Sequence, residues 1–267
     1  MLSSVGRVRL ESAIAAIEGG RGVARAAASG PIHHLLACPK GLRGGIHEWF
    51  GQERFGDPLG PNAARARHWW PPIGVLTHVA RRAVELWPDR RIVWIGGRCR
   101  PYLGALVGGL GVPGQVKRDL RLLHRSIVVE PSDQAERIWA IDLALRCAGV
   151  SVVIAEGSAM TMAMSRRLQL SAQDGGTIGL VARPPWERRT LSAARTRWCV
   201  SPAPSSNVEP RWIVELLCCK GVQPTSEGAR QCVVQRDHET GDVRVDAHVA
   251  DRPAAAQESA RSLQHTA

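Results

Sequence analysis

A chain of 267 residues, 44 % of them hydrophobic, has the material for one sizeable core and a smaller extension, and a single α/β domain is the default for that length. Lysine and arginine number 35 against 24 aspartates and glutamates, a net charge of +11, which argues against a surface built to collect cations and for phosphate backbones or acidic protein partners. Only Lys40, Lys117 and Lys220 are lysines, so arginine-rich coding alone also accounts for the excess.

Residues 1–28 alternate arginine, alanine and glycine around the stretch Leu10 to Glu18, where Leu10, Ala13, Ile14 and Ile17 form an apolar stripe. The period predicts a peripheral helix, an N-terminal extension to a core of residues 29–250. Gly45 to Gly51 reads as a strand ending in glycine. In a nucleotide-binding α/β protein a glycine-rich phosphate loop comes next, because backbone N–H groups and a lysine must surround the phosphates. It is absent, and no lysine in the chain stands between Gly and Ser or Thr. Residues 52–72 have loop composition instead, with Arg54, Arg65, Arg67 and the pair Trp69 and Trp70. Aromatic faces and guanidinium groups are what single-stranded nucleic acid needs for stacking and neutralisation. Packing over the sheet edge is the alternative, and it is favoured for at least one of the two tryptophans.

Ile73 to Leu86 reads as a helix, with Ile73, Leu76, Val79, Ala80, Ala83 and Leu86 on one side, stopping before Pro88. A strand, Arg91 to Ile95, runs into Gly96-Gly97-Arg98-Cys99-Arg100. A glycine-rich helix is expected around Tyr102 to Gly109, then a basic loop, then a strand from Leu122 to Val129. Asp133 and Glu136 form a capping pair that opens a helix with Ile138, Ile141, Leu145 and Ala148 toward the core, flanked by Trp139 and Leu143.

Gly149 to Pro184 organises the rest. Val150 to Ala155 is a β-branched run suited to a strand buried on both faces, and it ends at a lone acid, Glu156. Met160, Met164 and Leu168 recur at helical spacing, Gly175-Gly176 stops that helix, and Thr177 to Ala182 resumes the strand pattern. This is a βαβ unit, and a parallel sheet follows from its usual hand. Beyond Pro184-Pro185 only strands are expected, at Thr196 to Val200, Trp212 to Cys219, Gln231 to Gln235 and Val243 to Val249, extending the sheet antiparallel. The tail, 251–267, has too few large apolar residues to fold and is expected to be disordered.

Seven cysteines at 38, 99, 147, 199, 218, 219 and 232 lack CxxC spacing, so neither a disulfide framework nor a zinc site is indicated. Cys147 and the pair Cys218-Cys219 read as buried reduced thiols, which places the chain in a reducing cytoplasm. Glycine and proline interrupt the longest uncharged stretch, 101–116, and Glu11 and Glu18 interrupt the N-terminal apolar run, so no membrane association and no signal peptide are expected.

The element order, with PKGLRGGIHEWFG leading in, RRIVWIGGRCRPYLGALVGGLGV as second strand and its helix, IVVEPSDQAERIWAIDLALRCAGVSVVIAEG running into a Walker B strand, and SRRLQLSAQDGGTIGLVARP as the helix and sensing strand beyond, resembles the RecA core. Over residues 29–249 the chain looks most like the ImuA family, RecA-like accessory proteins of damage-induced mutagenesis that share the loss of the phosphate loop. The RLQL…GG…GxxxRP pattern and the closing ETGDVR carry most of the likeness. The resemblance implies a RecA-like three-layer α/β fold with a mostly parallel central sheet, antiparallel C-terminal strands and a degenerate phosphate loop. It puts Arg98 at the position of the recombinase's catalytic glutamate, Glu156 at the magnesium-binding Walker B position, and Arg183 at the end of the sensing strand.

The functional expectation is therefore a non-catalytic adaptor in translesion synthesis within the DNA-damage (SOS) response, without ATPase activity, resident metal or cofactor. Its expected partner is a translesion polymerase or polymerase-like protein, with single-stranded DNA and a RecA-like homo- or hetero-oligomer as further candidates. Alternatives are a SulA-type division inhibitor that binds a cytoskeletal GTPase, or a DNA-dependent ATPase. Because ligands of open α/β sheets gather beyond the carboxyl ends of the strands, Arg98, Arg100, Arg183, Arg65 and Arg67 are candidates for one basic rim contacting nucleic acid, with Trp69 and Trp70 beside them.

Overall fold

The computed structural model describes residues 42–53, 68–102, 106, 108–112, 115–205, 210–220, 231–237 and 243–248. The expected N-terminal helix, Arg65, Arg67 and the tail lie outside them. In chain order, β1 (Gly45–Phe50) is buried along its whole length. Residues 52–72 are not simply loop, since β2 (Gln52–Glu53) and β3 (Trp69–Trp70) pair antiparallel into a short ribbon just beyond β1. α1 (Ile73–Leu86) follows Pro71-Pro72 and buries Leu76, Val79, Ala80 and Ala83, on the side its period marked, together with Val75 and Arg81 outside it. β4 (Arg91–Ile95) ends in a 3-10 turn, Gly97–Cys99.

Two expectations fail in the next stretch. Gly108 and Gly109 are not helical: they open β5 (Gly108–Val112), which pairs antiparallel with β6 (Gln115–Asp119) as a separate hairpin. Five glycines within 104–114 weaken helix propensity, and the sequence between the two strands, Pro113-Gly114, has turn-forming composition. Nor is 122–129 one strand. α2 (Arg121–Arg125) occupies its first part with Leu122 buried, and only β7 (Ser126–Val129) is extended.

α3 (Gln134–Arg146) starts as its capping pair predicts. The Asp133 side chain accepts from Glu136 N at 2.8 Å, and Glu136 reaches back to accept from Ser132 N at 2.7 Å. Those hydrogen bonds from the Ser132 hydroxyl and backbone hold the exposed Glu136 carboxyl below its usual range. Ile138, Ile141 and Leu145 are buried, but Ala148 falls in the exposed turn after the helix, and Trp139 and Leu143 are exposed rather than flanking.

β8 (Val150–Glu156) is buried throughout. α4 (Met162–Gly175) is capped by Thr161 and closed by Gly176 in the left-handed conformation. β9 (Ile178–Arg183), β10 (Thr196–Pro202), β11 (Arg211–Cys219), β12 (Gln231–Arg236) and β13 (Val243–His248) complete the chain.

The nine-stranded sheet has the order β13-β12-β11-β10-β1-β9-β8-β4-β7. From β7 to β10 every pairing is parallel, and β11, β12 and β13 are antiparallel to their neighbours. β10 itself therefore belongs to the parallel part, one strand further than its place in the strand-only region suggested. α1 and α2 cover one face over Trp49, Trp94 and Trp198, and α3 and α4 cover the other over Ile46, Val153 and Val181. Trp49 and Trp198, paired across β1 and β10, stack with centroids 5.1 Å apart. This is the three-layer α/β architecture of a RecA-like fold. Cys99, Cys199 and Cys232 are buried, whereas Cys147 and Cys218 are exposed, because a turn and the outer face of β11 carry them. No helix among the described residues is long and apolar enough to cross a membrane.

Candidate functional site

The parallel strands β1, β9, β8 and β4 open their carboxyl ends on one edge, where sheets of this kind collect ligands. At the end of β1, where a phosphate loop would start, the chain enters the β2–β3 ribbon. Trp69 is buried there, the packing role expected of one tryptophan, while Trp70 is 62 % exposed.

Glu156 closes β8, and Arg98 comes to it from the turn after β4. Arg98 Nε lies 3.5 Å from Glu156 Oε1, and the Arg98 backbone N–H faces Oε2 at 3.4 Å. Gly96 makes this approach possible: its φ is 98°, and a Cβ there would sit 2.9 Å from Glu156 Cβ. Ser158 Oγ donates to Glu156 Oε1 at 2.8 Å. The guanidinium of Arg98 also donates to the Trp69 carbonyl at 3.3 Å and lies 5.8 Å from the centre of that ring. The side chain at the position that the resemblance gives to a catalytic acid is thus a cation resting on Glu156. A guanidinium has no lone pair with which to take a proton from water, and its charge competes at Glu156 with any metal ion. Behind it, burial and the Glu156 charge push the Cys99 thiol well above its ordinary range, against the opposing pull of Arg137 and Arg98.

The rest of the expected basic rim divides. Arg100 is exposed and ion-paired to Glu130. Arg183 does not belong to a rim at all. Its side chain is buried, with Nη1 2.8 Å from Glu48 Oε1, Nη2 2.6 Å from Glu187 Oε2, and a further bond from Nη2 to the Met160 carbonyl at 3.1 Å. β9 carries it beneath the loop after β8, where an unpaired guanidinium could not be left without water. Arg98, Arg100 and Arg183 each face a carboxylate, so the free positive charge of the chain does not sit on them.

Sequence reasoning missed the other members of this buried network. Glu48 also accepts from Arg197 Nε at 2.9 Å and Ser192 Oγ at 2.6 Å, and Arg197 stacks over Phe50 at 4.9 Å. The available signal was a carboxylate inside GIHEWF and an arginine closing IGLVAR, two charges within runs otherwise apolar. On the opposite face of β1, His47 Nε2 donates to the Leu42 carbonyl and Nδ1 accepts from the Thr196 hydroxyl, both at 2.7 Å, the assignment in which the Trp198 indole N–H completes the chain by donating to Thr196. Burial lowers the His47 pKa to about 4, opposed by the Leu42 hydrogen bond and aided by the charge of Arg195.

The chain is 31 % identical over 186 residues to Protein ImuA from two strains of Caulobacter vibrioides (NA1000 / CB15N and ATCC 19089 / CIP 103742 / CB 15), covering 64 % of this chain and 71 % of each relative. It belongs to the ImuA family. No family model matches it. The family likeness read from RLQL…GG…GxxxRP is thereby borne out, and in the structure that pattern runs from α4 through β9 to Pro184 just beyond it. Among the described residues of this ImuA-family chain, the carboxyl edge carries acid–arginine sites around Glu156 and around Glu48, besides the exposed Arg100–Glu130 pair.

Proposed function

We propose that this ImuA-family protein acts in damage-induced mutagenesis as a non-catalytic, RecA-like adaptor that assists a translesion polymerase or polymerase-like partner. The observation that carries the reading is the Arg98 guanidinium placed on Glu156 at the end of a sheet whose first strand leads into a ribbon rather than a Gly-Lys-Ser/Thr loop. Phosphoryl transfer needs a cradle for the phosphates, a metal and a positioned base, and here the second and third positions are filled by each other's partner. Because Arg98, Arg100 and Arg183 are each paired with a carboxylate, protein contacts rather than phosphate contacts by these three support the role.

Purified protein is expected to hydrolyse ATP at background rate, with or without single-stranded DNA. A DNA-stimulated rate that disappears in Glu156→Ala would overturn the non-catalytic reading. In the source organism, deletion of the gene is expected to lower mutation frequency after DNA damage, and Glu156→Ala to restore it as fully as the wild type. An unchanged frequency on deletion would remove the role in mutagenesis.

A further inference from the structure

Two adjoining clefts run across the carboxyl ends of β1 and β10, on the far side of β1 from Glu156. The larger, ≈ 410 Å³, is walled by Pro185, Trp186 and Pro202, with Arg188 and Glu53 at its margin. The smaller, ≈ 140 Å³, is walled by Trp70, Pro71, Pro72 and Trp212, and shares Gln52 and Pro202 with the first. The ribbon sets Trp70 against the sheet through Gly51, where a Cβ would lie 2.0 Å from the Trp70 carbonyl oxygen. The larger volume falls in the range of ligand-holding clefts, roughly 300–1,000 Å³.

Four prolines and three tryptophans on the walls of one groove are an unusual concentration. Grooves lined by aromatic side chains accept extended, proline-containing peptides, whose polyproline conformation is already ordered before binding. Charge selects the flank of such a peptide. Arg188 and Arg189 are exposed on the loop after the Pro185–Glu187 turn, and the neighbouring acid, Glu187, is engaged with Arg183. A strand of nucleic acid carries a phosphate at every step and needs cations along its path. This groove has one arginine, Arg188, and one acid, Glu53, among its lining residues. We propose that the groove is a docking site for an extended, proline-containing segment of a partner protein, with an acidic residue at the end that meets Arg188. The site stands independently of the role in mutagenesis, since any partner with such a segment would fit it.

The test is a phage-displayed library of random twelve-residue peptides panned on the full chain, followed by fluorescence polarisation with the best synthetic peptide. Enriched peptides should contain proline with a flanking Asp or Glu. Trp70→Ala should weaken the chosen peptide at least tenfold, since Trp70 is exposed and its loss leaves the core intact. Arg188→Glu, at an exposed loop position, should weaken the acidic peptide at least tenfold and favour a copy whose acidic flank is changed to Lys. Peptides enriched without proline or acid, binding indifferent to both substitutions, or no enrichment at all would overturn the proposal. Displacement of the peptide by a twelve-residue oligothymidylate that itself depends on Trp70 and Arg188 would overturn it in favour of single-stranded DNA.

Discussion

The Glu156 and Glu48 sites lie on the carboxyl edge of the same sheet, each pairs a carboxylate with arginine, and they differ in what surrounds the pair. At Glu156 the arginine side chain is 40 % exposed and 3.5 Å away, so water and salt share the charge. At Glu48 both partners are excluded from water, and Arg183 is held by two carboxylates and a carbonyl at 2.6–3.1 Å. Removing one half of an interior pair strands the other in a low dielectric, whereas removing one half of a surface pair lets water replace it. One site is thus closed to water on both sides, and at the other the arginine faces solvent over a largely buried carboxylate that Ser158 also holds.

Breaking the interior site should have the largest effect. Arg183→Met is expected to destabilise the fold by about 3 kcal/mol, the low end of the range for a broken buried pair, because Glu48 keeps Arg197 and Ser192. Urea unfolding at neutral pH measures it, and a cost as small as that of a surface pair would erase the distinction drawn between the two sites.

Acid probes the same strand from its other face. His47 has a folded pKa of about 4 against 6.5 when exposed, so the unfolded chain binds the proton more readily. Its contribution is therefore complete above pH 6.5 and is lost as pH falls toward about 4. The loss approaches about 1.4 kcal/mol per pH unit, about 3 kcal/mol in all. Urea midpoints followed from pH 7 to pH 4 should fall more steeply for the wild type than for His47→Gln. Parallel curves would mean that His47 protonates without cost and that burial at β1 is looser than at Glu48.

The smallest effect belongs to Arg98→Ala, less than about 1 kcal/mol, and molar salt should shrink it further. A cost of several kcal/mol that salt leaves unchanged would place Glu156 in the same class as Glu48.

Much of the sheet was legible because its signals are local. Apolar, mostly β-branched runs marked β4, β8 and β9, a closing glycine marked β1, prolines marked both ends of α1, and the RLQL pattern led to the family. The failures share a cause. At 102–129, the glycines and the short apolar run Leu122 to Val129 suit either helix or strand, and pairing across β5 and β6 and the seating of Leu122 beneath α1 chose between them. The basic rim failed at Arg183 because an arginine closing a strand reads alike whether it meets water or a carboxylate 135 residues earlier in the chain.

The sequence alone determined that no lysine stands in a Gly-Lys-Ser/Thr loop, that position 98 is an arginine, and that a parallel βαβ core runs into a strand-rich end, since these depend on residue identity and period. Only the tertiary structure decided that Arg98 rests on Glu156, that Arg183 is interior, and that Trp70, Trp186 and Trp212 share one groove. Those facts depend on strand order: placing β1 between β9 and β10 brings residues more than a hundred positions apart within hydrogen-bonding distance, and no local pattern encodes that adjacency.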